Sequence, residues 1–186
     1  SQAILDFVDE LKQSGVDSPK VGAILPGDAS IREIRGVIHE RLPKGMQVLK
    51  RTSESSLAQQ ERAIANHEGG SVVLGTNYME TGVTNPWMHG IIDPGWQRVG
   101  RWQDGVKTLP LVPASRAARD QRAGRVGRTA SGIYIRTQLD GFPPLALTAD
   151  GEDLPVDTRG SVPRIIVRDN TPDYELPEIE TIDLTA

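Results

Sequence analysis

The chain has 186 residues, 37% hydrophobic and 25% charged, with 19 Gly, 13 Pro, no Cys and a formal net charge of −4. That length fits one globular domain able to bury roughly two-thirds of its unfolded surface, and the lack of cysteine excludes a disulfide scaffold and any Cys-based zinc site. No apolar run reaches the ~18 residues a membrane-spanning helix needs, and the N-terminus has no charged-then-apolar leader, so the expectation is a soluble intracellular protein, cytoplasmic or nuclear.

Apolar spacing predicts a helix over residues 3–13, where Ile4, Leu5, Phe7, Val8 and Leu11 recur at helical intervals before Gly15. Residues 20–25 form a short apolar run ending in Pro26-Gly27, a buried strand followed by a turn. Ser30 is the expected cap of the next helix, with Ile31, Ile34, Val37, Ile38 and Leu42 as one stripe. A strand over 46–49, a helix over 56–67 capped at the Ser55-Ser56 pair, and strands over 71–74 and 89–92 continue the alternation. Strands alternating with helices call for a parallel sheet covered on both faces.

From Gly95 the rhythm changes. Residues 96–102 and 106–112 are strand-like and flank Gln103-Asp104-Gly105, and Asp-Gly is a strong hairpin signal. A two-stranded ribbon has little buried face, so its tip is expected to project. An Ala- and Arg-rich helix over 114–122, a strand over 132–136 and one strand-like island over 164–167 follow. The predicted organisation is a domain over 1–141 and a Pro-rich acidic extension over 142–186.

Charge is sharply segregated. Residues 98–136 hold nine Lys/Arg against two acids, a net +7, whereas residues 150–186 hold ten acids against three Arg, a net −7. The first stretch suits a polyanion and the second does not. Within the basic stretch, the run Gln121-Arg122-Ala123-Gly124-Arg125-Val126-Gly127-Arg128 stands out. Two glycines permit a tight turn at a helix end, and Arg125 and Arg128, three apart, can aim two guanidinium forks at one phosphate. A generic Arg-rich stretch would be a solvated helix end; this spacing is far more specific than Arg content.

At this point the sequence resembles the second RecA-like motor domain of superfamily 2 helicases of the DEAH type and their flavivirus-type relatives. Residues 121–128 match that family's motif VI, and Thr76-Asn77-Tyr78-Met79-Glu80-Thr81-Gly82-Val83-Thr84, after a strand, matches its motif V. The Leu25-Pro26-Gly27 turn looks like motif IV, and Ile91-Ile92-Asp93-Pro94-Gly95 resembles the strand after motif V. Pro177-Glu178-Ile179 looks like the entrance to the next helicase domain. The resemblance implies an α/β, RecA-like three-layer domain with a mainly parallel sheet between helices and a projecting β-hairpin.

Carried over, it implies that Arg125 and Arg128 are arginine fingers on the γ-phosphate, that Gln121 orients the attacking water, and that Arg122 makes an internal ion pair. Gly27, Thr76 and Asn77 would meet nucleic acid, joined by Arg101 and Trp102 on the hairpin, while Glu80, Thr81 and Gly82 would couple nucleotide to strand. Two departures stand out: Gly82 replaces a serine that senses nucleotide state, and no acid near Pro86 holds the ribose. The Glu-x-Gly-Val-Thr-x-Pro variant is nearer to helicases of plus-strand RNA viruses.

Other features read as structural. His39, His67 and His89 lie on separate elements with no ligand spacing, and no metal site is expected. Trp87 reads as core packing; Trp96 and Trp102 could equally pack or stack on bases. Neither a Gly-x-x-x-x-Gly-Lys-Ser/Thr loop nor an acidic magnesium motif occurs, so the chain can supply fingers without the cradle. It reads as half of an RNA-directed (rather than DNA-directed) helicase motor, inactive alone. ATP or another NTP and Mg2+ would be bound mainly by an upstream RecA-like domain, with a further helicase domain downstream. The competing reading is a non-catalytic module that holds RNA or a protein.

Overall fold

The computed structural model describes residues 1–77, 88–126, 132–137 and 165–169. In chain order the elements are α1 (Gln2–Gln13), β1 (Lys20–Ile24), α2 (Asp28–His39), β2 (Gln47–Arg51), α3 (Leu57–Ile64), β3 (Ser71–Gly75) and β4 (Gly90–Asp93). Then follow β5 (Trp96–Arg98), β6 (Arg101–Gln103), β7 (Val106–Thr108), β8 (Leu111–Pro113), α4 (Arg116–Ala123), β9 (Gly132–Arg136) and β10 (Ile165–Asp169). Six strands make one sheet in the order β10-β9-β4-β1-β3-β2, with every neighbouring pair parallel. Edge strand β10 comes from the predicted acidic extension and pairs with β9 from Ile165↔Gly132 to Asp169↔Arg136.

A parallel sheet must be covered on both faces, and the side-chain alternation shows how this one is. Val21, Ala23, Val72, Leu74, Ile92 and Ile135 pack with Ile4, Phe7, Val8 and Leu11 of α1 and Ile31 and Ile38 of α2. The intervening residues Ile24, Val73, Ile91 and Tyr134 pack on the opposite face with Ala63 of α3 and Ala123 of α4. The central strands β1, β3 and β4 are buried throughout, as continuous apolar runs in a parallel sheet should be. Gly90 is fixed by this packing: a Cβ there would lie 2.4 Å from the Phe7 ring.

Several boundaries differ from the sequence expectation for identifiable reasons. Helix α2 begins at Asp28 with Gly27 as its N-cap, so Ser30 is inside the first turn and caps nothing. An acid in that turn suits the positive end of the helix, and Asp28 also holds Lys50 at 2.9 Å. Val37, expected in the apolar stripe, is 42% exposed; Ile31 and Ile38 carry the burial. Helix α3 stops at Ile64, three residues short of the expected end, because Ala65 is extended. Its start is a complete capping box between Ser56 and Gln59.

The ribbon from Trp96 to Pro113 splits into two short ladders, β5 with β8 and β6 with β7, neither joined to the six-stranded sheet. The two expected long strands are interrupted at Val99-Gly100 and Leu109-Pro110, where proline offers no N–H and the backbone bond from Val99 N–H to Pro110 O at 3.3 Å bridges the gap. At the tip Asp104 (φ 51) and Gly105 (φ 76) both adopt positive φ, the turn that matches strand twist in a two-residue hairpin.

Candidate nucleotide and nucleic-acid site

Ligands of open α/β sheets bind outside the carboxyl ends of the strands. Gly27 follows β1 and Thr76-Asn77 follow β3, its direct neighbour in the sheet. The two ends are stitched by Leu25 N–H to Gly75 O at 2.7 Å, which brings the motif IV turn beside the start of motif V. Asn77 is exposed and Thr76 partly so. Above the turn, the Arg98 side chain from the base of the ribbon lies across Gly27: a Cβ at that glycine would come within 3.4 Å of Nε. Arg98 is braced by donating from Nη1 to Leu109 O at 2.8 Å.

The outer ribbon carries Arg101 and Trp102, both exposed, the indole at 76%. Trp102 pairs across the strands with Lys107, and Val106 is also open to solvent. A wide aromatic face beside two cations is chemistry suited to an unstacked base and its phosphate.

Helix α4 divides the motif VI run by orientation. Ser115 caps it, accepting from Ala118 N–H, and the chain then presents Arg122, Ala123 and Val126 inward. Arg122 is fully buried: Nη1 donates to Asp93 Oδ1 at 2.9 Å and Nη2 to Gln97 Oε1 at 3.3 Å. Asp93, at the end of β4, also accepts from Gly95 N–H at 2.7 Å and from the Tyr134 hydroxyl of β9 at 2.5 Å. Burial, then the Asp93 charge, push the Tyr134 hydroxyl far above the ordinary phenol range, so it stays a proton donor to Asp93. Gln121 by contrast is exposed and Arg125 partly exposed. The expected internal ion pair of Arg122 is therefore present. Its partner was legible only as an acid that continues the inward alternation of Ile91; Tyr134 gave no signal.

Glu80, Thr81, Gly82, Trp87 and Arg128 lie outside the described residues. Among the described residues no group of three His, Cys, Asp or Glu could hold a metal ion, and no helix is long and apolar enough to cross a membrane. His89 accepts the Lys20 N–H at Nδ1 (3.0 Å), and burial holds its pKa below the ordinary imidazole value. Lys20, unremarked in the sequence, is buried and donates from Nζ to Ala65 O at the end of α3; burial, then Arg51, lower its pKa to about 8.

The chain is similar in sequence and in fold to known proteins. The chain is 35% identical over 137 residues to the ATP-dependent RNA helicase HrpA of Escherichia coli, covering 73% of this chain and 10% of that protein. The HrpA homolog of Haemophilus influenzae is 35% identical over 138 residues, again 73% and 10%. The pre-mRNA-splicing factor ATP-dependent RNA helicase DEAH10 of Arabidopsis thaliana is 40% identical over 67 residues, 35% of this chain and 9% of that one. Among solved structures, the DExH-box NTPase HrpB of E. coli superposes with a TM-score of 0.62 at 28% identity, over 73% of this chain and 17% of that one. No family model matches the chain. The fold is thus the RecA-like α/β arrangement. The chain is a DEAH-type superfamily 2 helicase domain, and it spans about a tenth of the length of the HrpA relatives.

Proposed function

We propose that the chain is the second motor domain of an NTP-dependent RNA helicase, working in a cleft shared with an upstream RecA-like domain. In this reading ATP or another NTP and Mg2+ are held mainly by that upstream domain. Arg125 and Arg128 stabilise charge developing on the transferred phosphoryl group, and Gln121 orients the attacking water. Gly27, Thr76, Asn77, Arg101 and Trp102 meet the RNA, while Glu80, Thr81 and Gly82 couple the two sites. Residues 1–141 form the motor lobe, completed at the sheet edge by β10 from the 142–186 extension, and the rest of that extension leads toward the next helicase domain.

The observation that carries this reading is the division of labour within the run from Gln121 to Arg125. Arg122 turns inward to Asp93, which locks the end of α4 against β4, while Gln121 beside it is exposed and Arg125 is partly exposed with its Nε buried. An arginine finger needs such a rigid base, because catalysis by positioned charge depends on little rearrangement during the reaction. The names of the relatives support ATP and RNA as the ligands. The reading is tested by NTP hydrolysis in the two-lobed parent protein, with and without RNA. Purified 1–186 should hydrolyse nothing above a heat-killed control.

A further inference from the structure

We infer that the free edge of β2 is a docking site for an extended acidic peptide segment of a partner protein. Strand β2 is the last in the sheet order and pairs only with β3. Gln47 donates its N–H to Gly70 O at 3.1 Å, so in a parallel ladder Gln47, Leu49 and Arg51 turn their backbone groups toward β3. Val48 and Lys50 therefore turn theirs outward, and among the described residues no hydrogen bond reaches them across that edge. An edge of this kind is a template for one more strand.

The flanks say what that strand should carry. A cleft of about 350 Å³ runs along the edge between α2 and α3. Its lining includes Arg35 and His39 from α2, Lys50 from β2 and Arg62 from α3, with Gln47 and Gln59, and no acid lines it. Lys50 is committed to Asp28, and Arg62 donates to Gln47 Oε1 at 2.9 Å. Arg35, His39 and Arg62 are exposed. In a chain of net charge −4 this is a local reversal of sign, set on both sides of a row of open peptide groups. A strand with acids at adjacent positions would place its backbone on Val48 and Lys50 and turn one carboxylate to each face of the sheet, toward Arg35 on the α2 side and Arg62 on the α3 side. RNA would meet the same cations, but leaves the outward peptide groups without the paired donors and acceptors that a strand supplies.

The site is distinct from the carboxyl-end face that carries Gly27 and Thr76, and from the ribbon. The experiment is selection of a random octapeptide library on the folded protein, followed by titration of a synthesised consensus peptide. The enriched sequences are expected to carry acids at adjacent positions, one for each face of the added strand. Their affinity should fall at least tenfold for Val48→Pro, which removes an outward N–H while sparing the ladder to β3, a substitution that edge strands tolerate. It should fall likewise for the Arg35→Glu/Arg62→Glu double variant, which leaves the backbone intact and keeps the test decisive if the proline variant does not fold. Absence of enrichment, enrichment without acidic bias, or equal binding by the double variant would overturn the inference. So would displacement of the consensus peptide by a uridine oligonucleotide, or a Val48-dependent dimer of this chain in sedimentation.

Discussion

Arg122 and Asp93 form an ion pair in which both side chains are wholly removed from solvent, at 2.9 Å. The pair joins α4 to the end of β4, and Tyr134 and Gly95 complete the coordination of the carboxylate. Breaking a buried pair strands one charge in the interior, which costs far more than the pair gains over an apolar replacement. Arg122→Ala should therefore lower stability by about 3–5 kcal/mol in urea denaturation. Adding Asp93→Asn to Arg122→Met should recover part of that loss. Equal stability of Arg122→Ala and wild type would contradict the role given to this pair.

Tyr134→Phe tests the same network from β9. It deletes one hydrogen bond to a charged acceptor and changes little else, so a loss of about 1.5–3 kcal/mol is expected. A change in urea midpoint too small to resolve would mean that the hydroxyl is dispensable to Asp93.

Lys20 gives the fold a defined pH dependence. Its pKa is about 8 when folded against 10.5 as the ordinary value, so between those limits the unfolded chain holds a proton that the folded chain has released. Stability then rises with pH across that window. The cost of keeping Lys20 charged is full below pH 8 and vanishes above 10.5. Lys20→Met removes the titration, so the melting temperature of wild type relative to this variant should climb from pH 8 to 10.5. A difference that stays flat with pH would refute the assignment.

Gly90 is a packing requirement. A methyl group there would sit 2.4 Å from the Phe7 ring and 2.9 Å from Ile133 O, and forced overpacking costs about 1–3 kcal/mol. Gly90→Ala should show that loss in urea. Phe7→Leu in the same protein should restore only part of it, because the carbonyl contact remains. An unchanged midpoint for Gly90→Ala would contradict the close approach of α1.

Trp102 separates binding from folding. Being 76% exposed, it should be replaceable by Ala with a stability change within about 0.5 kcal/mol. If it stacks on a base, the same variant should lose about 1–3 kcal/mol of single-stranded RNA affinity in fluorescence anisotropy. Unchanged RNA binding would leave the ribbon without that role.

The parallel sheet was readable because buried parallel strands such as 71–74 announce themselves as short apolar runs between amphipathic helices. The Asp104-Gly105 turn was equally plain, since few residue pairs tolerate two positive φ values. Less accessible were features set by tertiary contact. The start of α2 was decided by the extended Gly27 and by Asp28 reaching Lys50, and the buried lysine at position 20 looks in sequence like any strand-edge cation. The run from Gln121 to Arg128 was legible as a motif, but which acid holds Arg122 inward required the sheet, because Asp93 lies 29 residues away in the chain.

The central claim, that motif VI supplies charge to a phosphoryl-transfer cleft, is tested most directly by Arg125→Ala in the two-lobed parent protein, with steady-state RNA-stimulated NTP hydrolysis as the readout. Turnover should fall by about 10³ to 10⁵-fold, the worth of an arginine finger, while the RNA concentration for half-maximal stimulation and the melting temperature stay near wild type. Near wild-type turnover, or a defect confined to RNA affinity, would contradict the account and reassign Arg125 to nucleic-acid binding or to the fold.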